Sequence, residues 1–366
     1  MNPPKLYLSI PEIPLAQAPS LDDARCTLAN PLTQILQRTG NTITQTLEDL
    51  KPPNPEEFLN SLKGNSSVYQ ASMSRQFAAD LPPDIEQTTL KDEPKDWYIK
   101  TADFGDDSDR VLQHRDGEYT QLLEDLATYD QILQEHCHRI IILRPPNYGR
   151  YDLLINAAMR CLGYTEAQFQ FIIVQPIKLY AFHKPSQKLH ALPELPIDEL
   201  IKAIGIDALR WHSLATPLTK VAPINISTAG QLNQQDSLYR IQTTHARCCT
   251  LLEQAHQHGT IELEITDDWQ IKSSSPSLEE LVWEDGNAAA LVKEIQKTPT
   301  ILQASADAIS GHLLYQHLEH ISDVCDKWCL NLSPTAQDCS LLLATKHTLF
   351  DVLESILGMK TRSPEI

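Results

Sequence analysis

A chain of 366 residues with 42% hydrophobic content is long enough to bury a sizeable core and to divide into two or three domains. No apolar run approaches the ~20 residues that a membrane-spanning helix needs, and MNPPKLYLSIPEIP lacks a basic flank before an apolar stretch, so a cytoplasmic protein without membrane contact is expected. The formal charge of −18 works against polyanion binding, and eight scattered cysteines with no C-x-x-C pair point to reduced, buried thiols instead of a metal site.

The first hundred residues carry the weakest pattern. Residues 51–56 (KPPNPE) and 81–95 (LPPDIEQTTLKDEPK), rich in proline and charge, mark loops or linkers. Between them, NPEEFLNSLKGNSSVYQASMSRQFAADL accommodates two short helices about a turn at residues 64–67. Residues 1–95 are therefore read as a helical and linker region.

From Trp97 the pattern sharpens. Val111, Gln113 and Arg115 alternate with Leu112 and His114 and are followed by Asp116-Gly117, a hairpin signal. HRIIILRPPN is a continuous apolar run bounded by prolines, as suits a buried parallel strand. RYDLLINAAMRCLGY places Leu153, Leu154, Ala157, Ala158, Cys161 and Leu162 on one helical face, and FQFIIVQPIKLY supplies another strand. Strand, helix and strand make one right-handed crossover, half of a Rossmann-like sheet, which assigns residues 96–200 to a partial α/β domain. Residues 201–366 read as helical, with apolar positions at i, i+3 and i+4.

Several stretches resemble the arginyl-tRNA synthetases, a class I family. GIDALRWHSL (205–214) resembles the family's G-x-D-A-x-R signature, and DSLYRIQTTHARCCTLL (236–252) resembles N-P-x-Y-Y-V-Q-Y-A-H-A-R, the two helical entries to the DALR anticodon-binding bundle. WYIKTADFGDDSDRV and DGEYTQLLEDLA are similar to the Y-V-K-T-S-x-F-G-D-x-x-D-R-V strand and the D-G-x-x-T-Y-L-x-x-D-I-A hairpin and helix. The likeness runs from about Trp97 to Ile366, and the stretch NPEEFLNSLKGNSSVYQASMSRQFAADL within residues 1–95 is similar, more faintly, to the family's N-terminal tRNA-binding module. It implies an α/β remnant with a partial Rossmann-like parallel sheet, followed by an all-α DALR bundle, with tRNA, and tRNA-Arg in particular, as partner.

Class I activation lets an amino acid's carboxylate attack the α-phosphate of ATP, and asks the protein mainly for positioning and charge stabilisation. The family uses imidazoles from an H-x-G-H turn and ammonium groups from a K-M-S-K-S-type loop. No H-x-G-H occurs in the chain. Because the likeness begins beyond where the first Rossmann half would have ended, that half is expected to be missing. The loop survives as KPSQK: Lys184, Ser186 and Lys188 match in type, whereas Pro185 stiffens a segment whose task is to move. An ordinary exposed loop is the competing reading. Asp125 falls where a carboxylate recognises substrate arginine, and Tyr151 is the one residue kept where PPNYGRY replaces G-A-D-H-H-G-Y; a capping or surface role competes for Asp125.

In the bundle the departures are milder. Arg210, Tyr239, Arg240, Gln242, His245 and Arg247 are the candidate tRNA-binding residues, with Tyr239, Gln242, Ala246 and Arg247 broadly on one side of a helix. Packing, with Arg210 and Arg247 pairing carboxylates, explains the same residues. Residues 205–366 hold only 11 Lys and Arg against 20 Asp and Glu, so RNA binding needs those cations gathered on one face. Three readings stand: a catalytically inactive synthetase-like protein, without cofactor, that binds tRNA or a partner such as a tRNA-modifying enzyme; an ATP-dependent arginine-tRNA ligase, truncated or split; and an acidic protein-interaction scaffold.

Overall fold

The computed structural model describes residues 3–11, 18, 20–45, 53–80, 94–183, 188–264, 269–272, 282–330 and 332–361. Two compact units emerge, Met1–Pro11 with Gly40–Ile173 and Glu12–Thr39 with Val174–Ile366. The boundaries at 95 and 200 read from the sequence do not divide the chain this way, because pairing between distant segments carries N-terminal residues into both units.

Strand β1 (Lys5–Ser9) is bounded by Pro3, Pro4 and Pro11. The helices after it, α1 (Leu21–Leu28) and α2 (Pro31–Arg38), belong to the second unit. The Ser20 hydroxyl caps α1 by accepting from Asp23 N, and Pro31 opens α2 where its missing N–H leaves no bond unmade. Strand β2 (Thr42–Thr44) then returns to pair in parallel with β1. Residues expected to be helix and linker thus supply two strands of a parallel sheet.

The first unit continues through α3 (Pro55–Leu62), β3 (Val68–Ala71), α4 (Arg75–Ala79), β4 (Asp96–Ile99) and β5 (Arg110–Gln113), the strands forming an antiparallel sheet in the order β3-β4-β5. The turn at Asp116-Gly117 forms, Gly117 at φ +95°, but the returning chain makes one bridge, at Tyr119, before α5 (Gln121–Gln131) begins under a Thr120 cap. Strand β6 (Arg139–Arg144), α6 (Gly149–Cys161) and β7 (Phe169–Ile173) form the expected crossover. The sheet order is β2-β1-β6-β7, every pair parallel. Ile140, Ile142, Leu123, Leu126 and Ile155 meet in its core. The buried stripe of α6 centres on Leu154, Ile155, Ala158 and Cys161, one position round from Leu153, which is 67% exposed.

Pro176 divides what reads as a single apolar strand, so that β8 (Ile177–His183) begins the second unit. It pairs antiparallel with β9 (Lys188–Ala191). Helices α7 (Ile197–Ile204) and α8 (Ile206–Leu214) meet at Gly205, whose φ of +82° disfavours a side chain. Strand β10 (Ala222–Asn225) lies parallel to β8, and α9 (Ser237–Gln257) leads to a small ribbon, β11 (Leu263–Glu264) with β12 (Gln270–Ile271). Helices α10 (Gly286–Gln296), α11 (Thr298–Asp307), α12 (His312–Trp328) and α13 (Ala336–Phe350) complete the bundle. Residues 201–366 are therefore mainly, not wholly, helical. All eight cysteines are buried and free. No helix among the described residues is long and apolar enough to cross a membrane, and no group of His, Cys, Asp and Glu there is arranged to hold a metal.

Candidate functional site

In an open parallel sheet, ligands bind outside the carboxyl ends of the strands, where strand order reverses. With the order β2-β1-β6-β7 that point lies between β1 and β6, and Arg144 is the last residue of β6. Helices α5 and α6 bring Asp125 and Tyr151 together: the Tyr151 hydroxyl donates to Asp125 Oδ2 over 2.5 Å, and Gln121 Nε2 donates to Oδ1 over 3.0 Å. Burial, and then the Asp125 carboxylate, push the Tyr151 hydroxyl well above its usual range. The next residue, Asp152, is 3% exposed, and its Oδ2 has no hydrogen-bond partner among the described residues. Burial pushes its carboxyl up to about 6, against the pull of the Arg144 guanidinium. Sequence reasoning passed over both residues, although a charge at the end of an apolar strand and another inside an apolar helical stripe were the available signals.

The strands β1 and β2 correct the expectation that the first half of the nucleotide fold is missing, since both stand in the same sheet as β6 and β7. Residues 10–20, IPEIPLAQAPS, connect β1 to α1 and contain no histidine. Of the loop read as KPSQK, Lys184 and Ser186 lie outside the described residues, and Lys188 is the exposed first residue of β9.

In the second unit the tRNA-binding candidates divide into three groups. Tyr239 and Gln242 line a cavity of about 290 Å³ with Gly205, Asp207, Gly230 and Leu232. Gly230, at φ +72°, forms the cavity floor, where a Cβ would fall 2.1 Å from the Ile204 carbonyl oxygen. The loop is held by Asp236, which caps α9 by accepting from Leu238 N at 2.9 Å and also accepts from Gly230 N at 2.5 Å. An aspartate directly before a helix is a readable cap signal, yet its second bond, which shapes the cavity, is not local.

Residues 358–360 are tied to α8 and α9 by three hydrogen bonds. Arg210 donates to Gly358 O at 2.6 Å, Gln242 Nε2 to Lys360 O at 2.7 Å, and Asp207 accepts from Lys360 N at 3.3 Å. Arg240 and Arg247 instead face α12, donating to Asp323 and Asp326 at 2.8 Å each. His245 departs from its expected role: it is 4% exposed and lies 6.4 Å from the Phe350 ring, so it packs the bundle and offers no surface to RNA. The helix side expected to carry Tyr239, Gln242 and Arg247 together is thus split between cavity and interhelical contact.

No protein-family model matches the chain. It is 25% identical over 326 residues to the arginine-tRNA ligase of Synechococcus sp. (strain JA-3-3Ab), an alignment covering 83% of this chain and 52% of that one. It is 29% identical over 271 residues to the arginine-tRNA ligase of Oceanobacillus iheyensis, covering 72% and 46%. The chain spans about half the length of the curated relatives it matches. Among solved structures, a Campylobacter jejuni protein assigned as an arginyl-tRNA synthetase superposes with a TM-score of 0.69 at 14% identity, over 99% of this chain and 94% of that one, which shows a shared fold. In sequence and in fold the chain is a class I arginyl-tRNA synthetase-like protein.

Proposed function

We propose that this arginyl-tRNA synthetase-like chain binds tRNA, tRNA-Arg foremost, through its helical unit, in the manner of a DALR bundle, and does not charge it. The observation that carries the reading is the cavity of about 290 Å³ between α8 and α9, built from the two stretches that resemble the family's signatures. Its size and its half-exposed Tyr239 suit an unpaired base, which stacks on an aromatic ring and leaves its edge to polar groups. Against charging stands the connection from β1 to α1, which has no imidazole to offer phosphates.

Gel-shift titration at low salt with a tRNA-Arg transcript and a non-cognate tRNA tests the binding, and absence of any preference for tRNA-Arg would count against it. Arginine-dependent pyrophosphate exchange tests the other half. Exchange above background, lost in Lys188→Ala, would restore the ligase reading.

A further inference from the structure

The net charge of the helical unit is the obstacle to the reading above, and the placement of its arginines bears on it. Helix α9 sets Arg240, Thr244 and Arg247 at spacings of four and three, one stripe along its surface. Opposite this stripe α12 presents Ser322, Asp323 and Asp326. Arg240 Nη1 meets Asp323 Oδ1 at 2.8 Å, and Arg247 Nη1 meets Asp326 Oδ1 at 2.8 Å. Between the two arginines, Thr244 Oγ1 lies 2.5 Å from Ser322 Oγ and 3.2 Å from Asp326 Oδ1.

Two features make these contacts replaceable. Both pairs lie at the surface, with side-chain exposures of 31% and 48% in one and 42% and 30% in the other, where ion pairs contribute little. Each arginine also meets its carboxylate through one nitrogen instead of the two-nitrogen fork, which leaves most of its donors uncommitted to that pair. Burial meanwhile raises the Asp326 pKa despite Arg247, so its charge is held at some disadvantage. A phosphodiester, like a carboxylate, presents two anionic acceptor oxygens to a guanidinium, and an RNA backbone brings several such groups at once.

We propose that the Arg240 and Arg247 stripe is a second RNA surface, for the phosphate backbone and separate from the base cavity, which Asp323 and Asp326 mask until RNA displaces them. This rests on the reading that the chain binds tRNA. It accounts for an acidic bundle that keeps two arginines on one stripe and neutralises both from a single helix.

The test titrates tRNA-Arg transcript against wild type, Asp323→Asn/Asp326→Asn, and Asp307→Asn/Glu284→Gln, which removes as much charge from exposed positions away from the stripe. Titrations run between 50 and 200 mM salt, and thermal melts check that each variant folds. Unmasking predicts several-fold tighter binding for the first variant and a salt slope steeper by about 1 to 2, since each phosphate neutralised adds roughly 0.7 to 0.9. The gain disappears when Arg240→Gln/Arg247→Gln is added. Equal gains in both acid-removal variants, or none in the first, overturn the mask while leaving wild-type binding in place. Binding by the unmasked variant alone shows that RNA does not displace the acids, and it overturns both the mask as proposed and the reading for the wild-type chain, as does binding by neither.

Discussion

The hydroxyl of Tyr151 donates to Asp125 Oδ2 over 2.5 Å, so the two residues that the sequence offers as a substrate-binding remnant are bound to each other. Gln121 takes the second oxygen. A carboxylate that must receive a guanidinium needs its oxygens available, and this one is satisfied from within the chain. Tyr151 is 42% accessible and Asp125 is half-buried, so the pair adds little to stability. A double-mutant cycle of Tyr151→Phe and Asp125→Asn in urea should give a coupling of about 0.5–1 kcal/mol. Coupling above roughly 2 kcal/mol would show a structural role that the exposure does not suggest.

Asp152 leads to a pH dependence of definite sign. Its folded-state pKa of about 6 lies above the ordinary 3.8, so between those values the folded chain keeps a proton that the unfolded chain has released. Stability contributed by this group is therefore complete below about pH 4, falls as pH rises, and is lost above about pH 6. At ~1.4 kcal/mol per pKa unit the loss is of order 3 kcal/mol. Asp152→Asn should raise the unfolding midpoint of the first unit at pH 7.5 and leave it nearly unchanged at pH 4. An equal effect at both pH values would exclude the titration as the cause.

What the sequence made legible, and what it hid, follows the range of each interaction. The crossover β6-α6-β7 was readable because HRIIILR and the α6 stripe are long local patterns, and α9 because residues 236–252 resemble a family signature. Strands β1 and β2 were not, being five and three residues long and paired in parallel, without a hairpin turn to mark them. The candidate arginines were found by likeness, but their partners were not: Arg240 and Asp323 stand 83 positions apart, and Arg247 and Asp326 79. No local pattern announces such pairs.

If the cavity beside Tyr239 receives a base, Tyr239→Ala should weaken tRNA binding by about 5- to 150-fold, the range that loss of one stacking contact allows (~1–3 kcal/mol). The salt slope should stay the same, since no phosphate contact is removed. A gel-shift series against salt separates this from an effect on cations. A weakened affinity with a shallower slope would assign Tyr239 to holding a cation in place.

Arg25 provides the largest expected loss of stability. It is 0% exposed, and its guanidinium donates to the carbonyls of Ser213, Gln175, Lys220, Thr216 and Pro217 at 2.5 to 3.1 Å. The segment 213–220 that it gathers leads from α8 to β10 and makes few regular backbone bonds of its own. Arg25→Met keeps the volume and strips donors from all five oxygens, leaving buried acceptors at ~1–3 kcal/mol each where water does not reach them. An overall cost of about 3–5 kcal/mol in chemical denaturation of the second unit is expected. Arg25→Lys should recover only part of it, because an ammonium has three donors for five carbonyls and cannot reproduce the planar fork. Full recovery by lysine would mean that charge, and not the geometry of the fork, holds this segment.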